Sequence, residues 1–368
     1  KTGYGSWSEL EAKFGTGRGN SSINRQDYDN VVKKLKSLGF VCPNESGSYT
    51  LKIQPEFLDL HTGEFKNAKD IENFRAEIRG MDAIQSYCAN DNLEMINNSH
   101  SSKVTLMRKV NMSHGKYPIW SANFDDFNFR VSLKNELSVN KFGKVGLGVF
   151  ADWNKSKKIF RYMNRVTFTH PDHPFKIDLS IVRSSSSDNR GNLLKTFNIA
   201  DSNVFNNSQT FEIEVEANNT ATSIKYSVTQ YELLVADLKT SIKFVMCGLQ
   251  HTNYPVSKSE QKTTQDEYFR ILFEEEYRKK GTKYIPKNKA LPKDFLGTGL
   301  VALQRKNITQ NTDQVNVPNI TEPFSYCVTD KADGDRHLLF VNSKGRIYMF
   351  NMNMQVIFTG AITREEKC

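Results

Sequence analysis

Long apolar runs are missing from this chain. No stretch of 18 apolar residues occurs, so no helix is expected to span a bilayer. Paired cysteines are missing as well. The five cysteines, Cys42, Cys88, Cys247, Cys327 and Cys368, are odd in number and scattered, with no C-x-x-C. That pattern suggests neither a zinc site nor a disulfide framework, and a reducing, cytoplasmic compartment fits it best. The opening Lys1-Thr2-Gly3-Tyr4 has no Met and no apolar signal core, and reads as an internal or trimmed start. The glycines Gly15, Gly17 and Gly19 are not followed by Gly-Lys-Ser/Thr, which excludes a phosphate loop of that type. There is no convincing internal repeat and no low-complexity tract.

What is present is a chain of 368 residues, 38% hydrophobic and 25% charged, long enough for two or three domains with cores of their own. Its net charge is +9 and its pI about 9.1. Such a balance is compatible with an ordinary basic surface or with a polyanionic substrate such as RNA or a nucleotide.

Strand-like segments dominate the first two thirds: Ser48–Ile53, Asn73–Arg79, Lys103–Val110, Phe127–Leu133, Lys158–Phe168, Lys176–Val182 and Phe211–Glu216. Asn-, Ser- and Gly-rich turns separate them, which argues for an antiparallel sheet or barrel. Two amphipathic patterns predict helices against this body. One runs from an N-cap at Ser22 through Tyr28, Val31, Leu35 and Leu38 to Gly39; the other runs from Ile224 to Val245 and ends the first domain near residue 250. Residues 251–290 are polar and read as a connector with a helical patch at Asp266–Arg278. From residue 291 to 368 strands return at Ser325–Thr329, His337–Val341, Arg346–Asn351 and Gln355–Thr359, with a hairpin turn at Asn342–Gly345.

The alternation within two strands carries chemistry. In Glu9-Leu10-Glu11-Ala12-Lys13 both glutamates and the lysine share a face opposite Leu10 and Ala12. In Glu212-Ile213-Glu214-Val215-Glu216 three carboxylates line one face, where like charges repel. Either strand alone is compatible with a wet surface. Brought together, they form an oxygen-rich site suited to Mg²⁺ or Mn²⁺. Other strands carry cations on a shared face: Arg75 with Arg79, Arg130 with Lys134 and Glu136, and Arg161 with Arg165. Inside a barrel these need carboxylates, metal or phosphate; on an open sheet they are simply wet. Near the end, Lys331-Ala332-Asp333-Gly334-Asp335-Arg336 places one lysine before a tight Asp-Gly turn and an arginine, as covalent nucleotidyl transfer requires.

These motifs resemble, in order, those of the mRNA capping enzymes of large cytoplasmic DNA viruses and linear yeast plasmids. The Glu9 and Glu212 strands look like the two metal-binding glutamate motifs of the triphosphate tunnel metalloenzymes. Arg161–Phe168 followed by Lys176–Ser180 resembles that family's basic strand and the acidic strand after it. Phe295–Gly299 and Lys331–Arg336 resemble the opening of an mRNA guanylyltransferase domain. The basic strand usually carries a lysine two residues before its arginine, and Met163 stands there in this chain; Arg161 or a cation on a neighbouring strand would substitute. Later guanylyltransferase motifs do not occur before Cys368.

The resemblance implies a mainly β (α+β) fold: an antiparallel eight-stranded β tunnel with packing helices over residues 1–250, then the N-terminal part of a nucleotidyltransferase domain. It implies that Glu9, Glu11, Glu212, Glu214 and Glu216 hold a divalent metal. Lys13, Arg75, Arg130, Arg161 and Arg165, with Asp178, would serve phosphate binding, and Glu136 would orient the attacking water. In the second part Lys331 would take GMP from GTP, with Asp333, Gly334 and Arg336 shaping the nucleotide site. The implied partners are 5′-triphosphate RNA and GTP, with a viral methyltransferase or the transcription machinery beyond them, in host cytoplasm or virion. Two other functions remain open: a tunnel acting on free nucleoside triphosphates or polyphosphate, and a basic RNA-binding module with a degenerate site.

Overall fold

The computed structural model describes residues 6–15, 22–58, 65–66, 74–114, 116–219, 221, 230–280, 291–296, 302–308, 320–321, 326–330 and 333–364. The chain divides into two compact units, Lys1–His251 and Thr252–Cys368.

Eight strands organise the first unit: β1 (Ser6–Phe14), β2 (Ser48–Pro55), β3 (Phe74–Arg79), β4 (Val104–Asn111), β5 (Phe129–Val139), β6 (Lys158–His170), β7 (His173–Ser184) and β8 (Thr210–Ala217). Their spatial order is β1-β8-β7-β6-β2-β3-β4-β5, and β5 pairs back onto β1. Every neighbour is antiparallel. The result is a closed eight-stranded antiparallel barrel, as the resemblance implies, with no free edge among these strands.

The barrel is apolar outside and charged inside. On the outer face of β1, β7 and β8, Ala12, Phe14, Ile177, Leu179, Ile213 and Val215 are buried. They pack with two helices, α1 (Arg25–Ser37) and, further along the chain, α5 (Tyr231–Gln250). Gly248 lets these helices approach closely, since a Cβ there would stand 2.8 Å from the Val31 Cα. On the opposite wall Leu51, Ile53, Ala76, Ile78 and Leu106 pack with three shorter helices, α2 (Met81–Asn90), α3 (Leu93–Ser99) and α4 (Lys144–Asp152). Burying the outer faces under helices supplies the hydrophobic stabilisation, so the interior is released for polar groups.

Several local expectations need correction. The N-cap of α1 is Asn24, not Ser22: its Oδ1 accepts from the Asp27 N–H at 2.9 Å, and the Asp27 carboxylate accepts from the Asn24 N–H at 3.1 Å. The fifth strand begins at Phe129, after a 3₁₀ turn at Asp125–Phe127, and continues to Val139. Alternation breaks at Lys134-Asn135-Glu136 because Asn135 is a polar residue on the outward row, where its Oδ1 accepts from Ser8 Oγ at 3.1 Å. Helices α2 to α4 lack a strong pattern of their own and are held by the barrel they cover.

In the second unit, α6 (Lys258–Leu272) starts at the Ser257 cap, whose Oγ accepts from the Glu260 N–H at 3.2 Å. A short α7 (Glu274–Lys280) follows. The helix α6 packs Tyr268 and Phe269 with Phe340, Tyr348, Phe350 and Phe358 of a three-stranded antiparallel sheet, β9 (His337–Val341), β10 (Arg346–Asn351) and β11 (Val356–Ile362). The expected hairpin joins β9 to β10, with the Asn342 Oδ1 accepting from the Lys344 and Arg346 N–H groups. The expected strand over Ser325–Thr329 is not formed at Tyr326–Thr329. Those residues are exposed and have no β pairing among the described residues. Among the described residues, no helix is long and apolar enough to cross a membrane.

Candidate active site

Strand parity decides what faces the barrel interior. With Leu10, Ala12 and Phe14 turned outward, Glu9, Glu11 and Lys13 must point in, and β8 follows because Glu11 pairs directly with Glu216 and Lys13 with Glu214. On the other side of β1, Lys13 stands opposite Arg130 and Glu9 opposite Lys134. Lysine 176 is registered with Glu216, and Asp178 with Glu214. The side chains surround a cavity of about 620 Å³, with seven carboxylates and ten lysines or arginines in its wall. Cations therefore exceed carboxylates, as a site for an anion requires.

All the metal-site glutamates expected from sequence face this cavity, together with Lys13, Arg75, Arg130, Glu136, Arg161 and Arg165. Asp178 is on the same inward face but is buried and does not reach the cavity surface. Its carboxylate accepts from Arg165 Nη1 at 3.0 Å and from Thr167 Oγ1 at 2.6 Å. Alternation had not singled out Lys52, Glu77, Lys109 or Lys176, which also line the cavity. Glu77 was within reach of sequence, since Arg75-x-Glu77-x-Arg79 puts all three on one face.

Ion pairs tie the walls together. Glu214 accepts from Lys13 Nζ at 2.9 Å and from Arg165 Nη2 at 2.7 Å. Against the upward push of burial, those cations hold its carboxyl well below the usual range. Arg161 bonds Glu212, and Lys13 lies 3.2 Å from the same carboxylate. Arg75 bridges Glu77 at 2.7 Å and Glu136 at 2.8 Å. Burial opposes the Arg75 charge, but the two carboxylates more than offset it and keep the guanidinium firmly protonated. Arg130 and Lys134 have no carboxylate within ion-pair distance among the described residues.

The β1 carboxylates are less well compensated. Glu9 and Lys109 are in contact, Lys109 Nζ is 3.4 Å from a Glu11 oxygen, and Ser132 Oγ donates to Glu11 at 2.8 Å. Burial nevertheless pushes the Glu9 carboxyl up to about 7, with Glu11 and Glu136 adding to the shift against Lys109. Glu216 is also raised, by burial and then by Asp178, although Lys176 lies 3.1 Å away. Among the described residues, no three His, Cys, Asp or Glu side chains are grouped so as to hold a metal ion as they stand. The donor chemistry nonetheless fits a hard divalent cation: Glu9, Glu11 and Glu216 offer carboxylate oxygens on neighbouring strands of the cavity wall.

Among the solved structures to which the chain is similar are two of one protein. The structure of S. pombe Pct1 RNA triphosphatase matches at 14% identity, covering 66% of this chain and 79% of that one, with a TM-score of 0.31. The same protein in complex with the Spt5 CTD matches at 14% identity over 64% of this chain and 84% of that one, with a TM-score of 0.32. No family model matches the chain, and no curated protein sequence matches it.

In the second unit Lys331, Ala332 and Gly297–Gly299 lie outside the described residues. Asp333 and Gly334 are exposed. The Arg336 guanidinium lies 5.3 Å from the centre of the Phe295 ring, so the Phe295 and Arg336 motifs meet through a cation–π contact.

Proposed function

We propose that this protein removes the terminal phosphate from the 5′-triphosphate end of RNA in a divalent-metal-dependent reaction, the first step of mRNA capping. One observation carries the reading: a closed barrel whose interior sets the Glu9–Glu11 face against Glu216 and surrounds it with an excess of lysine and arginine. A triphosphate with its metal has the charge pattern this interior complements, negative oxygens along the cationic walls and a cation at the glutamates.

A bound Mg²⁺ or Mn²⁺ at Glu9, Glu11 and Glu216 would supply positive charge to the γ-phosphate oxygens. Lys13, Arg130 and Lys134 lie beside that face and would neutralise the phosphate chain. Arg165, fixed by Asp178 and Glu214, would meet charge that develops on the transferring phosphoryl group. Glu136, oriented by Arg75, would accept the proton of the attacking water. The products are diphosphate-ended RNA and inorganic phosphate.

For the second unit we propose that Lys331 attacks the α-phosphate of GTP, forming a P–N bond to GMP and releasing pyrophosphate, with Asp333, Gly334 and Arg336 serving the nucleotide site. The lysine needs a lowered pKa for this, and the Arg336 charge, if brought beside it, would favour its neutral form.

The test is phosphate release from triphosphate RNA, ATP and tripolyphosphate with Mg²⁺ or Mn²⁺. Preference for the RNA end supports the proposal. Preference for ATP or tripolyphosphate makes the tunnel a nucleotide or polyphosphate hydrolase. Metal-independent RNA binding without turnover leaves only a binding module.

A further inference from the structure

The proposal here rests on the reading just given and adds a residue to it. The inner row of β6 carries Arg161, Met163 and Arg165, and Met163 is an apolar side chain only 2% exposed. It therefore brings no charge to this part of the wall. The next strand does. Lys52 of β2 pairs with Arg161 on one side and with Glu77 on the other, while its neighbour Thr50 pairs with Met163.

Lys52 differs from the tunnel cations around it in how little holds its charge. Arg75 and Arg165 each bond two carboxylates at 2.7 to 3.0 Å. Among the described residues the Lys52 ammonium has a single carboxylate in ion-pair range, Glu77 at 3.5 Å. Glu77 already accepts from Arg75 at 2.7 Å and from Arg79 at 3.1 Å. The Lys52 side chain is 24% exposed, so it is deep in the wall yet open to the cavity. Burial lowers its pKa, with Arg75, Arg165 and Arg161 adding to that against the pull of Glu77. A buried ammonium with donors to spare and cations on three sides is stabilised by an arriving anion.

We propose that Lys52 is a phosphate-binding residue of the tunnel, donating directly to an oxygen of the polyphosphate chain alongside Met163. Its charge serves the ligand instead of the barrel, whereas its neighbours serve both. Loss of Lys52 should therefore weaken binding without loosening the fold.

The experiment uses the full chain as wild type, Lys52→Met and Lys52→Arg. Tripolyphosphate binding is measured by calorimetry, and KM and kcat on triphosphate RNA are measured separately. Lys52→Met should bind tripolyphosphate roughly ten-fold or more weakly, with a matching rise in KM, a smaller change in kcat and an unchanged melting temperature. Lys52→Arg should recover most of the binding. Wild-type affinity in a folded Lys52→Met protein overturns the proposal, and so does failure of the wild type to bind tripolyphosphate. Binding that depends on Lys52 without RNA hydrolysis keeps the assignment and rejects the triphosphatase reading. Hydrolysis with binding independent of Lys52 does the reverse.

Discussion

Glu11 of β1 and Glu216 of β8 stand directly opposite each other on neighbouring antiparallel strands, both turned into the barrel. Facing carboxylates repel across a sheet, and here Lys109 at 3.4 Å from Glu11 and Lys176 at 3.1 Å from Glu216 offset part of that repulsion. Glu11→Gln and Glu216→Gln should each lower phosphate release at least about a hundred-fold if this pair supports the metal. Melting temperatures should hold or rise, because one like charge has gone. A large loss of stability in both variants would make the pair structural.

If Glu9 holds the metal, as proposed, cation and proton compete for its carboxylate. With its carboxyl near 7, it is mostly protonated at pH 6.5, and a carboxyl must ionise to bind a cation. Mn²⁺ binding at pH 6.5, followed by calorimetry in buffers of different ionisation enthalpy, should release about one proton. Glu9→Gln should reduce that release. Equal release from both proteins would remove Glu9 from the metal site.

Asp178 is 1% exposed on its side chain and holds Arg165 at 3.0 Å. Replacing it with alanine leaves a mostly buried guanidinium with Glu214 as its main partner. Asp178→Ala should cost about 3 kcal/mol of stability and lower kcat more than it raises KM. Urea midpoints, compared at constant slope, measure the first effect. An unchanged midpoint would show that Arg165 is held well enough from β8 alone.

Lys158 offers a pH test away from the site. It is 1% exposed and donates to the Trp153 and Ser156 carbonyls at 2.8 Å each, and burial lowers its pKa to about 8. Between about 8 and the ordinary lysine value the unfolded chain holds a proton that the folded chain has released. Stability contributed by this group therefore rises as pH climbs through that window and is absent below it. The gain should be about 1–3 kcal/mol, seen as a pH-dependent difference between wild type and Lys158→Met. A difference that stays flat from pH 7 to 10.5 would contradict the assignment.

Much of the barrel was legible because its outer face is apolar and its inner face charged, which makes alternation unusually clear. Glu9-x-Glu11 and Glu212-x-Glu214-x-Glu216 displayed their inward side without any partner known. Direct opposition of Glu11 and Glu216 was not legible, since pairing register depends on closure between strands some two hundred residues apart. Lys52 and Lys109 were hidden for a related reason: a single lysine in an alternating strand looks like ordinary surface until the neighbouring strands enclose it. The short helices were obscure because their stability comes from the walls they cover. At Tyr326–Thr329 apolar, β-prone residues suggested a strand, but propensity without a pairing partner does not make one.

The most direct measurement follows the γ-phosphorus of a triphosphate-ended RNA labelled at that position, with Mn²⁺ or Mg²⁺, in wild type and Glu11→Gln. Labelled inorganic phosphate and diphosphate-ended RNA, lost on chelation and in the variant, are the predicted result. Labelled pyrophosphate, or release that persists in Glu11→Gln, would contradict the account.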